Sequence, residues 1–509
     1  MFTVLSKKFS PVIILAIFIL SMSIIQFASP DLPDNDGFYH IKLAYLMRTE
    51  GLKPDFIWLP ESILSAEEYY DHHFLFHVAL IPFTFGNLLL GAKWAAVIFS
   101  SFAFMGIWYL FHRQQVPYAG LWALGLLVLS DSFLYRMSVA RAQSLSLLAL
   151  ALGFAWLLQG KHKHLAVLAY IYVWLYDAFP LLVVLAVLHM LAVLLTEHRL
   201  VWRPLAFIAA GVILGLVVNP YFPDNILFTF RHIFPKLADA TSVSVGNEWY
   251  PYDTLQLLEN SLPALVAFAS GILALGITNR KMDAPTALAM LASLLFGLML
   301  FQARRFIEYF APFTLIFAAF AWSQFFAEHI AAGKILPVPG FAHSAAPKSR
   351  FWSLPVVHLP AVLLLVAVLL GGFRTLPAAR ERMLNLKPFN LYASAAGWLQ
   401  QNTSPGELIF QTDWDDFPRL FFYNTHNTYL LGLDPTYLQL HDAEMYDLWS
   451  LIVSGDVQRP SQFIQGVFKS RFVHTDVKHT GFLRQAAQDP DLQEVYRDDQ
   501  AVIFQVTRP

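Results

Sequence analysis

Long apolar runs separated by short basic stretches constrain this chain more than any other feature. A helix needs roughly twenty apolar residues to cross a bilayer. Pro11–Ser29, Trp94–Phe111, Tyr118–Ser130, Leu145–Leu158, Pro204–Val218, Leu262–Ile277, Ala284–Phe301, Phe306–Trp322 and Leu354–Leu370 are such runs, with a further pair broken near Asp177. Between them stand His112-Arg113, Lys161-His162-Lys163-His164, Arg199 with Arg203, Arg280-Lys281, and Lys334, Lys348 and Arg350. Basic loops stay cytoplasmic, so taking Lys7 and Lys8 as inside gives about eleven spans, with the N-terminus inside and the C-terminus outside. Phe74–Phe111 is read as one span plus an interfacial piece, because two spans would throw every later basic loop outward. Pro11–Ser29 is long enough to span and lacks a clean small-x-small cleavage site, which favours a retained anchor over a signal peptide. Composition agrees. Hydrophobic residues make up 57% of the chain and charged residues 14%, against roughly 45–50% and about 25% in soluble domains. The formal charge of −2 supplies no basic excess for a nucleic-acid partner, and the absence of cysteine rules out disulfides, thiolate metal sites and a cysteine nucleophile.

The expected fold is therefore a polytopic α-helical membrane protein with a small C-terminal α/β domain outside the membrane. Residues 1–373 form the transmembrane part with outer loops 30–77 and 219–260, and residues 374–509 form the outer domain. In that domain Ala393–Gln401 reads as an amphipathic helix and Leu408–Thr412 as a strand. Glu494–Val506 reads as two strands around an Arg497-Asp498-Asp499-Gln500 turn.

Charged residues crowd at the outer ends of the spans. Asp34-Asn35-Asp36-Gly37-Phe38-Tyr39-His40 puts two carboxylates and an imidazole just after the first apolar run. Asp34 and Asp36 suit a divalent cation or a general base, and an Asp or Asn of this stretch, just before Phe38–Met47, equally suits a helix N-cap. Asp71-His72-His73 with His77 offers a zinc-like spacing without a third ligand, and such histidines also occur at membrane interfaces. Arg136, Arg141, Arg304 and Arg305 stand on the outer side, against the topological bias. They read as meeting an anion such as phosphate, or as snorkelling to headgroups. Glu308, one turn after Arg304, reads as a local counter-charge for one of the pair Arg304 and Arg305. Glu248 lies in a long outer loop of the kind that more often forms a functional lid than a connector.

At these residues the chain resembles the GT-C superfamily of membrane glycosyltransferases, and within it the catalytic subunit of oligosaccharyltransferase. Asn35-Asp36-Gly37-Phe38 is similar to the first-loop motif N-D-G-Y, whose aspartate binds metal and acceptor. Ser242–Pro251 looks like S-V-S-E-x-x-P, placing its glutamate at Glu248. Arg304-Arg305-Phe306 with Pro312 resembles a late helix whose arginine meets the lipid-linked phosphate. Asp413-Trp414-Asp415-Asp416-Phe417-Pro418 falls where the family has W-W-D-Y-G. One departure is sharp: Arg141-Ala142-Gln143 stands where the family has a second acidic pair.

The resemblance implies a GT-C-like glycosyltransferase that takes a sugar from a polyprenyl-linked donor on the outer face of the cytoplasmic membrane. Asp36 and Glu248 would be catalytic. Arg141, Arg304, Arg305, His72, His73, Trp414 and Asp415 would bind substrates. Asp36 with Asp34 would take Mg or Mn if a divalent cation is used, although Arg141 offers a guanidinium in the cation's place. The acceptor is left open. The alternative is a non-catalytic binder, or a flippase or ligase partner, which would need the arginines but not Asp36. A secondary transporter would carry its charges at the midplane in repeated halves, and no repeat is present.

Overall fold

The computed structural model describes residues 11–233, 245–278, 281–332 and 359–507. Lys7, Lys8, Ser242, Val243, Ser244, Arg280, Lys334, Lys348, Arg350 and the start of the run Leu354–Leu370 lie outside the described residues.

Among the described residues six helices are long and apolar enough to cross a membrane: Leu88–Arg113, Pro180–Glu197, Thr254–Thr278, Ala284–Gln302, Arg304–Ala327 and Pro360–Leu384. Asp131–Ser138 and Gln143–Leu158, bent by 109° at a short break, make a seventh if counted as one span. Pro11–Gln26, Phe74–Thr84 and Arg203–Val217 are shorter apolar helices. Exposed Val266, Leu273, Ile277, Leu294 and Leu298 give these helices outward apolar faces, which suit lipid and not water. The chain is a multi-pass membrane protein; the described residues hold six or seven spans by length and composition, fewer than the about eleven expected, which are not confirmed.

Part of that difference has a clear cause. Tyr118–Ser130 folds as a short helix, Ala119–Leu124, and a 3-10 turn, Gly125–Leu127. Trp122, Leu126 and Leu127 are buried against neighbouring helices, so their apolarity serves the protein core. Phe74–Phe111 holds one long helix and a short piece before it, as expected.

Outside the membrane part, five strands form one sheet: β1 Leu408–Gln411, β2 Thr428–Tyr429, β3 Phe472–Asp476, β4 Leu492–Arg497 and β5 Ala501–Val506, in the order β2-β1-β3-β5-β4. β1 runs parallel to β2 and β3, while β5 runs antiparallel to β3 and β4. The helix Ala393–Asn402 and strands β1, β4 and β5 fall where the sequence placed them. The helix Leu359–Leu384 carries the chain past residue 373 before this domain begins.

The first outer loop and this domain share one aromatic core, in which Tyr39, Phe56 and Trp58 pack with Phe417 and Phe421. Polar links reinforce it: Trp58 Nε1 donates to the Thr425 carbonyl at 3.0 Å, and the Tyr429 amide donates to the Trp58 carbonyl at 2.9 Å. The domain is thereby held over the helix Asp36–Glu50.

Candidate active site

Asp36 is the first residue of the helix Asp36–Glu50, where the helix dipole favours a carboxylate. The N-cap reading fails for Asn35, which makes no capping bond. Its amide instead donates to Asp415 Oδ2 at 2.6 Å and to the Asp415 carbonyl at 3.0 Å, and its Oδ1 accepts from Arg419 Nε at 2.7 Å. Asp34 does accept from the Asp36 amide, at 3.4 Å.

Arg141 sits in the break between Asp131–Ser138 and Gln143–Leu158. Extended Val139 ends the first helix and turns the chain toward the outer loop. Gly37 lies against Ala140, where a Cβ would stand 3.6 Å from the alanine methyl. That approach brings Arg141 Nη2 to 2.6 Å from both Asp34 Oδ2 and Asp36 Oδ2. Burial pushes the Asp36 pKa up to about 7, with Arg141 opposing and Asp34 adding to the rise.

Glu248, on the turn Asn247–Trp249, enters the same place from the loop. Its carboxylate meets Arg136 Nη1 at 2.5 Å, Arg141 Nη1 at 3.3 Å and Arg305 Nη1 at 3.4 Å. Burial alone would raise its pKa, but Arg136, Arg305 and Arg141 outweigh burial and hold the carboxyl well below the usual range. Glu308 is buried, and its Oε2 accepts from Arg136 Nε and Nη2, each at 3.1 Å. Arg305 is steadied by Tyr176, whose hydroxyl accepts from Nη2 at 3.0 Å, and by the face of Trp249 at 4.3 Å.

These groups line one cavity of about 730 Å³. Asp34, Asp36, Arg141, Glu248, Arg305, His72, His73, Trp414 and Asp415, all singled out in the sequence, are on its wall. Arg304 is not among the lining residues. Its Nε donates to the Tyr250 carbonyl at 3.2 Å and its Nη2 to the Pro251 carbonyl at 2.8 Å, so it anchors the loop that carries Glu248. Glu308 forms its ion pair with Arg136, and not with either of the adjacent Arg304 and Arg305 for which it was expected to be the counter-charge. Arg136 drew notice for lying on the outer side, but its partners come from segments far along the chain.

The zinc-like histidine spacing is used otherwise. His77 Nδ1 meets Asp71 Oδ2 at 2.7 Å, and His77 Nε2 meets His40 Nδ1 at 2.7 Å, so both of its ring nitrogens are engaged. With Asp71 as acceptor, His77 donates from Nδ1 and accepts at Nε2. Among the described residues no group of three or more His, Cys, Asp or Glu is placed to hold a metal. Asp34 and Asp36 do not fit a divalent cation either, since a guanidinium nitrogen bridges the two carboxylates where the ion would sit.

No protein-family model and no curated protein matches the chain. Solved structures do. The oligosaccharyltransferase AglB from Archaeoglobus fulgidus, in complex with an inhibitory peptide and a dolichol-phosphate, superposes with a TM-score of 0.65 at 13% identity, over 95% of this chain and 71% of that one. ArnT from Cupriavidus metallidurans gives 0.55 at 14% identity over 96% and 97% of the two chains. The arabinofuranosyltransferase AftD from Mycobacteria gives 0.55 at 15% identity over 98% of this chain and 40% of that one. The chain carries the GT-C fold that its motifs resemble.

Proposed function

We propose that this protein is a membrane glycosyltransferase that moves a sugar or glycan from a polyprenyl-linked phosphate carrier to an acceptor. The reading places the reaction on the outer face of the cytoplasmic membrane, with the N-terminus inside and the C-terminal domain outside. One observation carries it: an acidic group, Asp34 with Asp36, and a guanidinium group, Arg136, Arg141 and Arg305, meet in one cavity from well-separated segments. A transferase needs both. The acceptor oxygen bonds to the anomeric carbon as the bond from that carbon to the phosphate oxygen breaks. The electron pair leaves with the phosphate and the acceptor proton goes to Asp36. Preorganised guanidiniums stabilise the charge that develops on the departing phosphate. Trp414 and Asp415 frame the acceptor side, an aromatic face suiting a sugar ring.

Arg141 takes the part that a metal plays in the resembled enzymes, supplying fixed positive charge beside Asp34 and Asp36. Transfer is therefore expected to proceed unchanged in EDTA; strict dependence on added Mn²⁺ or Mg²⁺ would contradict this.

The pH profile follows from Asp36. The carboxylate is the proton acceptor, and its pKa stands at about 7. Protonation on the acid side removes the base, so kcat/KM should rise with pH through about 7 and level off above it. A profile flat from pH 5.5 to 8 would exclude Asp36 as the base.

A further inference from the structure

We infer that the Glu248 carboxylate holds the place of a single phosphoryl group and is displaced by it, so that the donor is a singly charged phosphodiester: a sugar on a polyprenyl monophosphate. The inference rests on the transferase reading above and narrows its carrier class.

The first ground is geometry. Three guanidiniums, two from residues 136–141 and one from Arg305, close on one carboxylate at 2.5, 3.3 and 3.4 Å. A carboxylate and a phosphodiester both present two anionic oxygens to guanidinium forks. A cradle drawn this tightly around one carboxylate is the size of one tetrahedral anion.

The second ground is that each guanidinium keeps at least one partner outside the turn that carries Glu248. Arg136 is fixed by Glu308, Arg141 by Asp34 and Asp36, and Arg305 by the Tyr176 hydroxyl. Glu248 differs from these supports. Glu308 and Asp36 are built into helices, and the Glu308 side chain is 1% exposed. Glu248 stands on a loop turn, and its side chain is 26% exposed, well above Glu308 and close to Asp36 at 23%. Withdrawal of this turn, against the hold of Arg304 on Tyr250 and Pro251, would take the carboxylate out and leave three oriented cations behind.

The third ground is charge. Three guanidiniums face Asp34, Asp36, Glu248 and Glu308, and Asp177, Asp413, Asp415 and Asp434 also line the cavity, so its carboxylates outnumber its cations. Exchanging Glu248 for a phosphodiester keeps that balance. A diphosphate-linked sugar would add a further negative charge, and no other lysine or arginine lines the cavity among the described residues. After transfer the carrier is a monoester with a higher charge, and the return of Glu248 repels it outward. Substrate enters by replacing the carboxylate, and product leaves as the carboxylate comes back.

The test uses two probes that carry no sugar: methyl farnesyl phosphate, with one charge, and P1-farnesyl-P2-methyl diphosphate, with two. Binding is measured to the full protein in phosphatidylcholine nanodiscs. The unaltered protein should bind the diester at least tenfold more tightly than the diphosphate. Glu248→Gln, which removes the competing charge, should tighten diester binding about tenfold. Should that variant not fold, the chain's lack of cysteine allows spin labels on N247C and K469C, both at exposed positions. Their separation should change when diester is added to otherwise unaltered protein. Diester binding that is unchanged or weaker in Glu248→Gln, or an unmoved label distance, overturns the displacement. Preference for the diphosphate overturns the carrier class alone. Binding of neither probe brings down the anion site and the transferase reading with it.

Discussion

Replacing Asp36 with asparagine is expected to reduce sugar transfer by about 10²–10⁴-fold, the range over which a positioned proton acceptor acts. The protein should still fold and still bind the lipid-linked donor. Asparagine keeps the shape and one oxygen for Arg141 to bond but cannot take a proton. The donor's anionic contacts come from Arg136, Arg141 and Arg305, none of which is removed. The outcome separates a transferase from a flippase or ligase partner, which needs the arginines but not the carboxylate. Retained transfer in that variant would remove Asp36 from the chemistry.

The second large effect is expected at Arg141. Its Nη2 stands 2.6 Å from the carboxylates of both Asp34 and Asp36, and its Nη1 faces Glu248. Arg141→Ala strips the half-buried carboxylates of their shared counter-charge and takes one donor from the phosphate cradle. Loss of a single preorganised donor costs roughly 10²–10³ in kcat, and the unpaired carboxylates add to that. The same variant leaves two hard-oxygen ligands with an opening between them, the arrangement that Mg²⁺ and Mn²⁺ favour. Part of the lost activity should return at millimolar Mn²⁺. Full activity without metal, or a variant that millimolar Mn²⁺ and Mg²⁺ leave as inactive as before, would contradict the view that this guanidinium stands in a cation's position.

Much of this site was legible before the fold was known, for reasons specific to each residue. Asp36 and Glu248 lie in short motifs whose charges are costly near a membrane unless used. Arg141 was visible as a departure, standing where acidic residues were expected. Arg304 and Arg305 show where sequence runs out. They occupy a 3-10 turn, Arg304–Phe306, in which successive side chains point about 120° apart. Their adjacency meant that both could not face one cavity, but nothing local said which would. The Arg136–Glu308 pair spans 172 residues in sequence, so only packing reveals it. His77 looked like half of a metal site because its partners, Asp71 and His40, come from a turn and from another helix.

The fold was legible to a similar depth. Apolar runs marked the helices, but hydrophobicity does not distinguish a lipid-facing span from a segment buried among other helices. Tyr118–Ser130 is of the second kind. In the outer domain the edge strand β4 and its partner β5 were readable around their turn. The central strand β3, Phe-Val-His-Thr-Asp, was not. Its buried His474 and Thr475 break the apolar run expected of an inner strand.

The central claim is that one outward cavity holds a carrier phosphate between Arg136, Arg141 and Arg305 beside Asp36. An experimental map of the protein in nanodiscs with bound methyl farnesyl phosphate, the singly charged diester, tests it most directly. The phosphate should lie within hydrogen-bonding reach of all three guanidiniums, with the Glu248 carboxylate moved out of that space. A phosphate bound elsewhere on the membrane face, with Glu248 still seated among the arginines, would contradict the account.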